Sequence, residues 1–238
     1  MGRGRSGSSD YISAGNKAGV TSAQNRTINR IIKKTRDLKK EQLRLVNEDG
    51  EVVLEKRGAK YEVATTYGEK RELSPGAISI HNHPHGGTFS EDDLNDFGFG
   101  VRQSVIASPD GTYRLTNLNW KNRQKRTAGW YDMREALRES GATQERGILY
   151  FRDEARKLPS VMRIQKRLQA VSEKYLAARS RGAAQSVIDS LMGQYETISL
   201  QYKTALRRAE RKLEVKPYDD FFRANARKYG FAYTFTPR

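Results

Sequence analysis

From Thr21 onward the apolar positions fall at helical spacing. Ile28, Ile31, Ile32 and Leu38 line one side of a segment that predicts an amphipathic helix to about Lys40, with Ser22 placed to cap its start. The period then shortens to two. Gln42-Leu43-Arg44-Leu45-Val46 reads as a strand, Asn47-Glu48-Asp49-Gly50 as a hairpin turn and Glu51-Val52-Val53-Leu54 as the returning strand. Past Gly58, Tyr61 to Thr66 predicts another strand. Ala77-Ile78-Ser79-Ile80 is a short apolar run after Pro75-Gly76, suited to a buried central strand. Ser90-Glu91-Asp92-Asp93-Leu94 has the form of a helix start, a capping residue followed by an acidic first turn. Ser104–Ala107 and Thr112–Leu115 then flank Pro109-Asp110-Gly111 as a second hairpin.

Beyond residue 120 the pattern is mainly helical. Val161, Ile164, Leu168, Val171 and Tyr175 alternate spacings of three and four, as in a coiled-coil stripe. Arg181-Gly182 breaks it, and Val187, Leu191, Ile198, Tyr202 and Leu206 form a looser second stripe, which together predict a long helical hairpin. A last helix is expected from Tyr218 to Lys228, ending at Tyr229-Gly230. Phe231–Phe235 follows as an aromatic strand able to return to the sheet. The expected organisation is a Gly- and Ser-rich disordered basic tail over 1–20, an α+β module over 21–117, and a basic helical extension with a short C-terminal strand over 118–238. No internal repeat is visible.

Composition narrows the chemistry. The 238 residues contain no cysteine, which excludes disulfides and thiolate metal sites and leaves histidine and carboxylates as ligands. Mean hydropathy is −0.82 and no apolar run reaches the ~18 residues of a membrane span. Basic Met1–Ser6 is followed by no apolar stretch, so it does not read as a secretory signal. The expected setting is a cytoplasm. The formal net charge of +16 is unevenly placed: +8 over residues 1–40, −5 over 41–120 and +13 over 121–238. Basic flanks around an acidic middle suit contact with a polyanion, most simply nucleic acid bound without sequence preference. Solvated Lys- and Arg-rich helix faces give the same composition.

All three histidines lie within five residues, His81-Asn82-His83-Pro84-His85, directly after the predicted buried strand. Alternation along an extended chain points His81 and His83 to one side, where both rings can reach one ion. A catalytic zinc needs a third protein ligand and an open position. Asp93, on the first turn of the next helix, supplies a carboxylate, and Gly86-Gly87 lets the intervening loop fold back.

The string Ile80-His81-Asn82-His83-Pro84 … Ser90-Glu91-Asp92-Asp93 resembles the H-x-H-P … S-x-x-D signature of the JAB/JAMM/MPN metalloproteins, in wording closest to the RadC-like and phage-associated branches. The resemblance covers roughly residues 38–117. It implies a JAB/MPN-like mixed sheet flanked by helices, Zn2+ held by His81, His83 and Asp93, a serine assisting at the site (Ser90), and an upstream glutamate activating the water. That glutamate sits where a helix gives way to the first strand, the position of Glu41. Six residues separate His83 from Ser90 where seven is commonest in the family, so Asp92 stays open as the third ligand. Phe221–Phe231 resembles the ending of JAB-like domains appended to minor head proteins of tailed phages. The implied function is a zinc-dependent peptide or isopeptide hydrolase encoded by a phage or prophage, with an unknown protein substrate and phage structural proteins as partners, in the bacterial cytoplasm or the virion. The alternative is a non-enzymatic virion-associated or nucleic-acid-binding protein that keeps the fold. A His-Asn-His nuclease fits worst, because the strand–loop–helix order does not suit it.

Overall fold

A computed structural model describes residues 20–58, 66–84, 86–141 and 148–238. Helix α1 (Ser22–Thr35) starts at Ser22 itself, so its cap lies one residue earlier than expected. Thr21 is the N-cap: its hydroxyl accepts from Gln24 N at 3.1 Å while Gln24 Oε1 accepts from Thr21 N at 3.0 Å. This reciprocal box needs Gln three residues after the cap, which Thr21 has and Ser22 does not. The helix ends at Thr35, short of Lys40, so Leu38 lies beyond it. Its apolar face, Ile28, Ile31 and Ile32, packs with Val46, Ile78, Ile80, Val105 and Ala107 of the sheet.

That sheet has six strands: β1 (Gln42–Val46), β2 (Val52–Arg57), β3 (Ile78–Asn82), β4 (Gln103–Ser108), β5 (Gly111–Asn117) and β6 (Phe231–Pro237), in the order β2-β1-β3-β4-β5-β6. Every pairing is antiparallel except β3 with β4. The β1–β2 turn needs Gly50, at φ +85°, because a Cβ there would stand 2.9 Å from the Ala23 carbonyl carbon. The expected strand over 61–66 falls almost wholly outside the described residues. Thr66 instead precedes a short helix, α2 (Tyr67–Leu73), that apolar periodicity did not predict. Its start is built by Thr66 and Glu69, whose side chains bond each other's backbone N–H groups.

The parallel β3–β4 pair cannot be joined by a tight turn, so the chain crosses over through α3 (Glu91–Gly98). Helix α3 lies on the face opposite α1, with Leu94 and Phe97 fully buried. Helix α4 (Arg123–Glu139) packs against it through buried Met133 and Leu137, and Glu91 pairs with Arg134 at 2.8 Å and with Arg138. Phe97 meets Phe231 of β6 edge-on, with ring centroids 4.9 Å apart. The α+β class is therefore observed, and the C-terminal strand does return to the sheet.

Two compact units divide the chain: residues 1–144 with 217–238, and residues 145–216. The first is larger than the expected 21–117 module, because α4 and the C-terminal segment are part of it. The second unit contains α5 (Ile148–Arg156), α6 (Pro159–Ser180) and α7 (Gln185–Asn225) up to Lys216. Gly182, at φ +67°, sits in the break between α6 and α7, where the sequence placed it. Ala155, Val161 and Ala209 form its core, with Leu158, Tyr202, Leu206 and Leu213 against them. The separate helix expected from Tyr218 is instead the end of α7, which runs through Pro217; a 3-10 turn, Ala226–Tyr229, follows it. Proline there removes one N–H from the helix ladder without ending it. No helix among the described residues is long and apolar enough to cross a membrane.

Candidate metal centre

Strand β3 is buried at all five positions, and its two faces do different things. Ile78 and Ile80 point into the core beneath α1. Ser79 and His81 alternate to the α3 side, where the Ser79 hydroxyl donates to Asp96 Oδ2 at 2.8 Å. His83 extends the same side by one step: its backbone N–H donates to Ala107 O at 3.1 Å, prolonging the β3–β4 ladder past the strand end. Gly86 N then closes a turn onto His83 O at 3.0 Å, and Gly86 and Gly87, at φ +87° and +114°, reverse the loop towards α3. His85 lies outside the described residues.

Ser90 caps α3 and organises Asp93. One carboxylate oxygen, Oδ2, accepts from Ser90 N at 2.7 Å and from Ser90 Oγ at 2.8 Å. The other, Oδ1, lies 2.9 Å from His81 Nε2. His83 Nε2 is 3.0 Å from His81 Nε2 and 3.7 Å from Asp93 Oδ2. A tetrahedral zinc with ligand bonds near 2.0–2.1 Å separates its ligand atoms by about 3.3 Å. The His81 contacts to His83 Nε2 and Asp93 Oδ1 are a little shorter than that value, and one ligand atom from each residue lies within 4.8 Å of the others, so this triad could hold a metal ion. Asp93, and not its exposed neighbour Asp92, completes this cluster. His81 is buried, whereas the His83 and Asp93 side chains keep 16% and 15% of their surface.

Electrostatics follow from this packing. Burial opposes charge on His81, but Asp93 beside it outweighs burial, with smaller help from Asp96 and then Glu41, and the ring's pKa is raised. For His83 burial wins over Asp93, with the His81 charge adding to it, and the pKa is lowered to about 4. Asp93 is held below the ordinary carboxylate range: burial pushes it up, and the two rings and the Ser90 bonds push it down further.

Glu41 stands one residue before β1 and is half-buried. Leu43 pairs directly with His81, so Leu43 and, two residues earlier, Glu41 occupy the His81 face of the sheet. Its backbone is held on both sides. Gly58 N donates to Glu41 O at 2.9 Å, and buried Asn82 accepts from Gln42 N at 2.8 Å while donating to Lys40 O at 3.1 Å. The Ser90 hydroxyl hydrogen is directed to Asp93, so a bond from it to a substrate requires that contact to be released.

Sequence reasoning passed over three contributors. Asn82 was inside the motif but was not given a role. Asp96 shares the α3 face with Asp93 at a spacing of three, a signal that could have found it. Tyr233 had no local signal: its hydroxyl donates to Asp219 Oδ1 at 2.6 Å and lies 3.0 Å from Thr88 Oγ1, so the C-terminal segment is tied to the loop between His83 and Ser90. Phe89 of that loop packs edge-on to Phe222 and Tyr233. The chain matches no protein-family model, no curated protein and no solved structure.

Proposed function

We propose that this chain is a zinc-dependent hydrolase of the JAB/JAMM type, acting on a peptide or isopeptide bond. The observation that carries the proposal is the convergence of His81, His83 and Asp93, with one ligand atom from each within 4.8 Å of the others, on the face that also receives Glu41. The donor set fits zinc: two imidazoles and a carboxylate are the three protein ligands of a catalytic pattern, whereas structural zinc sites fill all four positions with protein ligands. The order helix, hairpin, strand, crossover helix, two strands supports a JAB/MPN-like module around it. Bound zinc would supply Lewis acidity towards a scissile carbonyl and a water acidified to a pKa of about 7.

The chain's own residues then have distinct tasks. Glu41 accepts the proton of the attacking water and delivers it to the leaving amine. Asp93 holds one oxygen towards the ligand site while Ser90 fixes the other. Ser90, on releasing Asp93, donates to the developing oxyanion. Asn82 fixes the chain on both sides of Glu41. Because the Ser90 hydroxyl is engaged with Asp93, a second reading keeps the metal as a structural element of a non-enzymatic protein.

Elemental analysis of protein purified without added metal tests the proposal: about one zinc per chain is expected, lost in His81→Ala and in His83→Ala. Metal-free wild-type protein that also takes up no added zinc would overturn it. Zinc without turnover of any casein, isopeptide-linked or host-protein substrate would leave the structural reading.

A further inference from the structure

The positive charge of the second unit is concentrated at one end. Val161 and Ala155 pack with Ala209, so the end of α5, the start of α6 and residues 202–213 of α7 come together. Residues 152–167 carry six Lys or Arg against two acidic residues, and residues 202–213 carry five against one. Between them, residues 168–201 are balanced, with Lys174, Arg179 and Arg181 against Glu173, Asp189 and Glu196. The three carboxylates at the basic end are each taken by a neighbour: Glu210 by Arg152 at 2.9 Å, Asp153 by Arg156 at 3.2 Å and Glu154 by Lys157 at 2.5 Å. Arg163, Lys166, Arg167, Lys203, Arg207, Arg208, Arg211 and Lys212 remain, and none is ion-paired among the described residues. Seven of them are exposed and Arg211 is half-buried.

We infer that this end of the helical unit binds the phosphate backbone of a nucleic-acid duplex. A cluster of eight cations without counter-charge is unfavourable by itself and is relieved by a polyanion, whose condensed counterions are released on contact. Five of the eight are arginines, whose guanidinium fork matches phosphate oxygens. An anionic membrane also attracts basic residues, but insertion of a helix into its interface needs a broad free apolar face beside them. Here most of that face is occupied: Val161 is fully buried and Leu158, Tyr202, Leu206 and Leu213 are packed around the core, which leaves only isolated apolar residues such as Met162 and Leu200 exposed beside the charges. Single strands are gripped by stacking bases on aromatic rings, and Tyr202, the aromatic residue of the 202–213 stretch, is packed against that core. The surface therefore recognises charge density on a duplex, without base readout. This inference is independent of the metal centre.

The test uses the full chain and fluorescence anisotropy with a short labelled DNA duplex of mixed sequence. Contact with four to six phosphates predicts a log–log salt slope of about −4 to −5, or a loss of roughly 10²–10³-fold in affinity between about 50 and 200 mM salt. Arg163→Gln/Arg167→Gln/Arg207→Gln should make the slope shallower by about 2–3 and weaken binding at least about tenfold. Lys174→Gln/Arg179→Gln/Arg181→Gln removes the same charge from the balanced stretch and should change affinity less than about threefold. All six sites are exposed helical or helix-end positions that glutamine tolerates, and an unchanged helical circular dichroism signal verifies this. Equal weakening by the two triple variants, or none by the first, would assign binding to other basic segments and overturn the inference. So would a salt-insensitive affinity of the parent protein, or binding to phosphatidylserine vesicles but not to the duplex.

Discussion

Removing the Ser90 hydroxyl separates two roles that the structure places on one atom. It caps α3, accepting from Asp93 N at 3.3 Å, and it donates to the Asp93 oxygen that does not face His81, at 2.8 Å. Losing an N-cap to alanine costs about 1 kcal/mol. For a unit of this size that lowers Tm by roughly 2–4 °C. Losing a group that orients a metal ligand costs about 10–100-fold in metal affinity. Ser90 N still holds the same oxygen at 2.7 Å, so the lower end, near tenfold or about 1.4 kcal/mol, is expected. Glycine caps nearly as well as serine, costing only a few tenths of a kcal/mol, yet has no hydroxyl. Ser90→Ala should therefore lower both the metal-free Tm and zinc affinity, Ser90→Gly mainly zinc affinity, and Ser90→Thr neither. Thermal unfolding of metal-free protein and competition with a chromophoric zinc chelator measure the two separately. If Ser90→Gly binds zinc as tightly as the parent, the hydroxyl does not orient Asp93 for a metal.

Glu41→Gln should keep the fold and the zinc, since glutamine is nearly isosteric and Glu41 is not a ligand, while hydrolysis falls by roughly 10²–10⁴ once a substrate is found. Glu48→Gln and Glu51→Gln, on the turn beyond β1, should leave hydrolysis unchanged in the same assay. In the metal-free protein His83 is lowered to about 4 from 6.5, so between those values the unfolded chain binds more protons than the native one. Stability from this group is complete above pH 6.5 and is lost as pH falls towards 4; a pH–Tm series should show the loss, and His83→Gln should flatten it. Tyr233→Phe keeps the ring stacked on Phe222 but leaves Asp219 and Thr88 without their shared partner. It should cost about 1–3 kcal/mol in denaturant unfolding.

The cluster of His81, His83 and Asp93 was legible because its members are close in sequence and its geometry follows from local rules. Alternation puts His81 and His83 on one side of β3, and the cap at Ser90 puts Asp93 on the first turn of the next helix. What could not be read depends on distant partners. The helix at Tyr67–Leu73 has too few apolar positions to show a period, and its start rests on a polar exchange between Thr66 and Glu69. A separate helix was expected from Tyr218, yet α7 continues to Asn225 through Pro217. The membership of β6 in the sheet was visible as an aromatic strand, but its partner β5 is more than a hundred residues earlier. That long-range closure also explains why the first unit is larger than the module inferred from the motif: it needs Phe231 against Phe97 and Tyr233 against Thr88.

Whether Glu41 can serve the site depends on register more than on its own surroundings. Side chains on a strand alternate faces, so a one-residue slip of β1 against β3 would place Glu41 and Leu43 beneath α1 and present Gln42 to the histidines. The ladder between these strands ends at Leu43 opposite His81, just where Glu41 must still be positioned. Asn82 takes over from there. Its amide supplies one acceptor and one donor, to Gln42 N and Lys40 O, as the next backbone pair of a ladder would. An aspartate could accept from Gln42 N but would face the Lys40 carbonyl with a second acceptor, and an aliphatic residue would satisfy neither group. The residue between the two histidines is thus a register lock. It lies fully buried on the face away from His81 and His83, and it fixes which residue of the preceding chain can reach them.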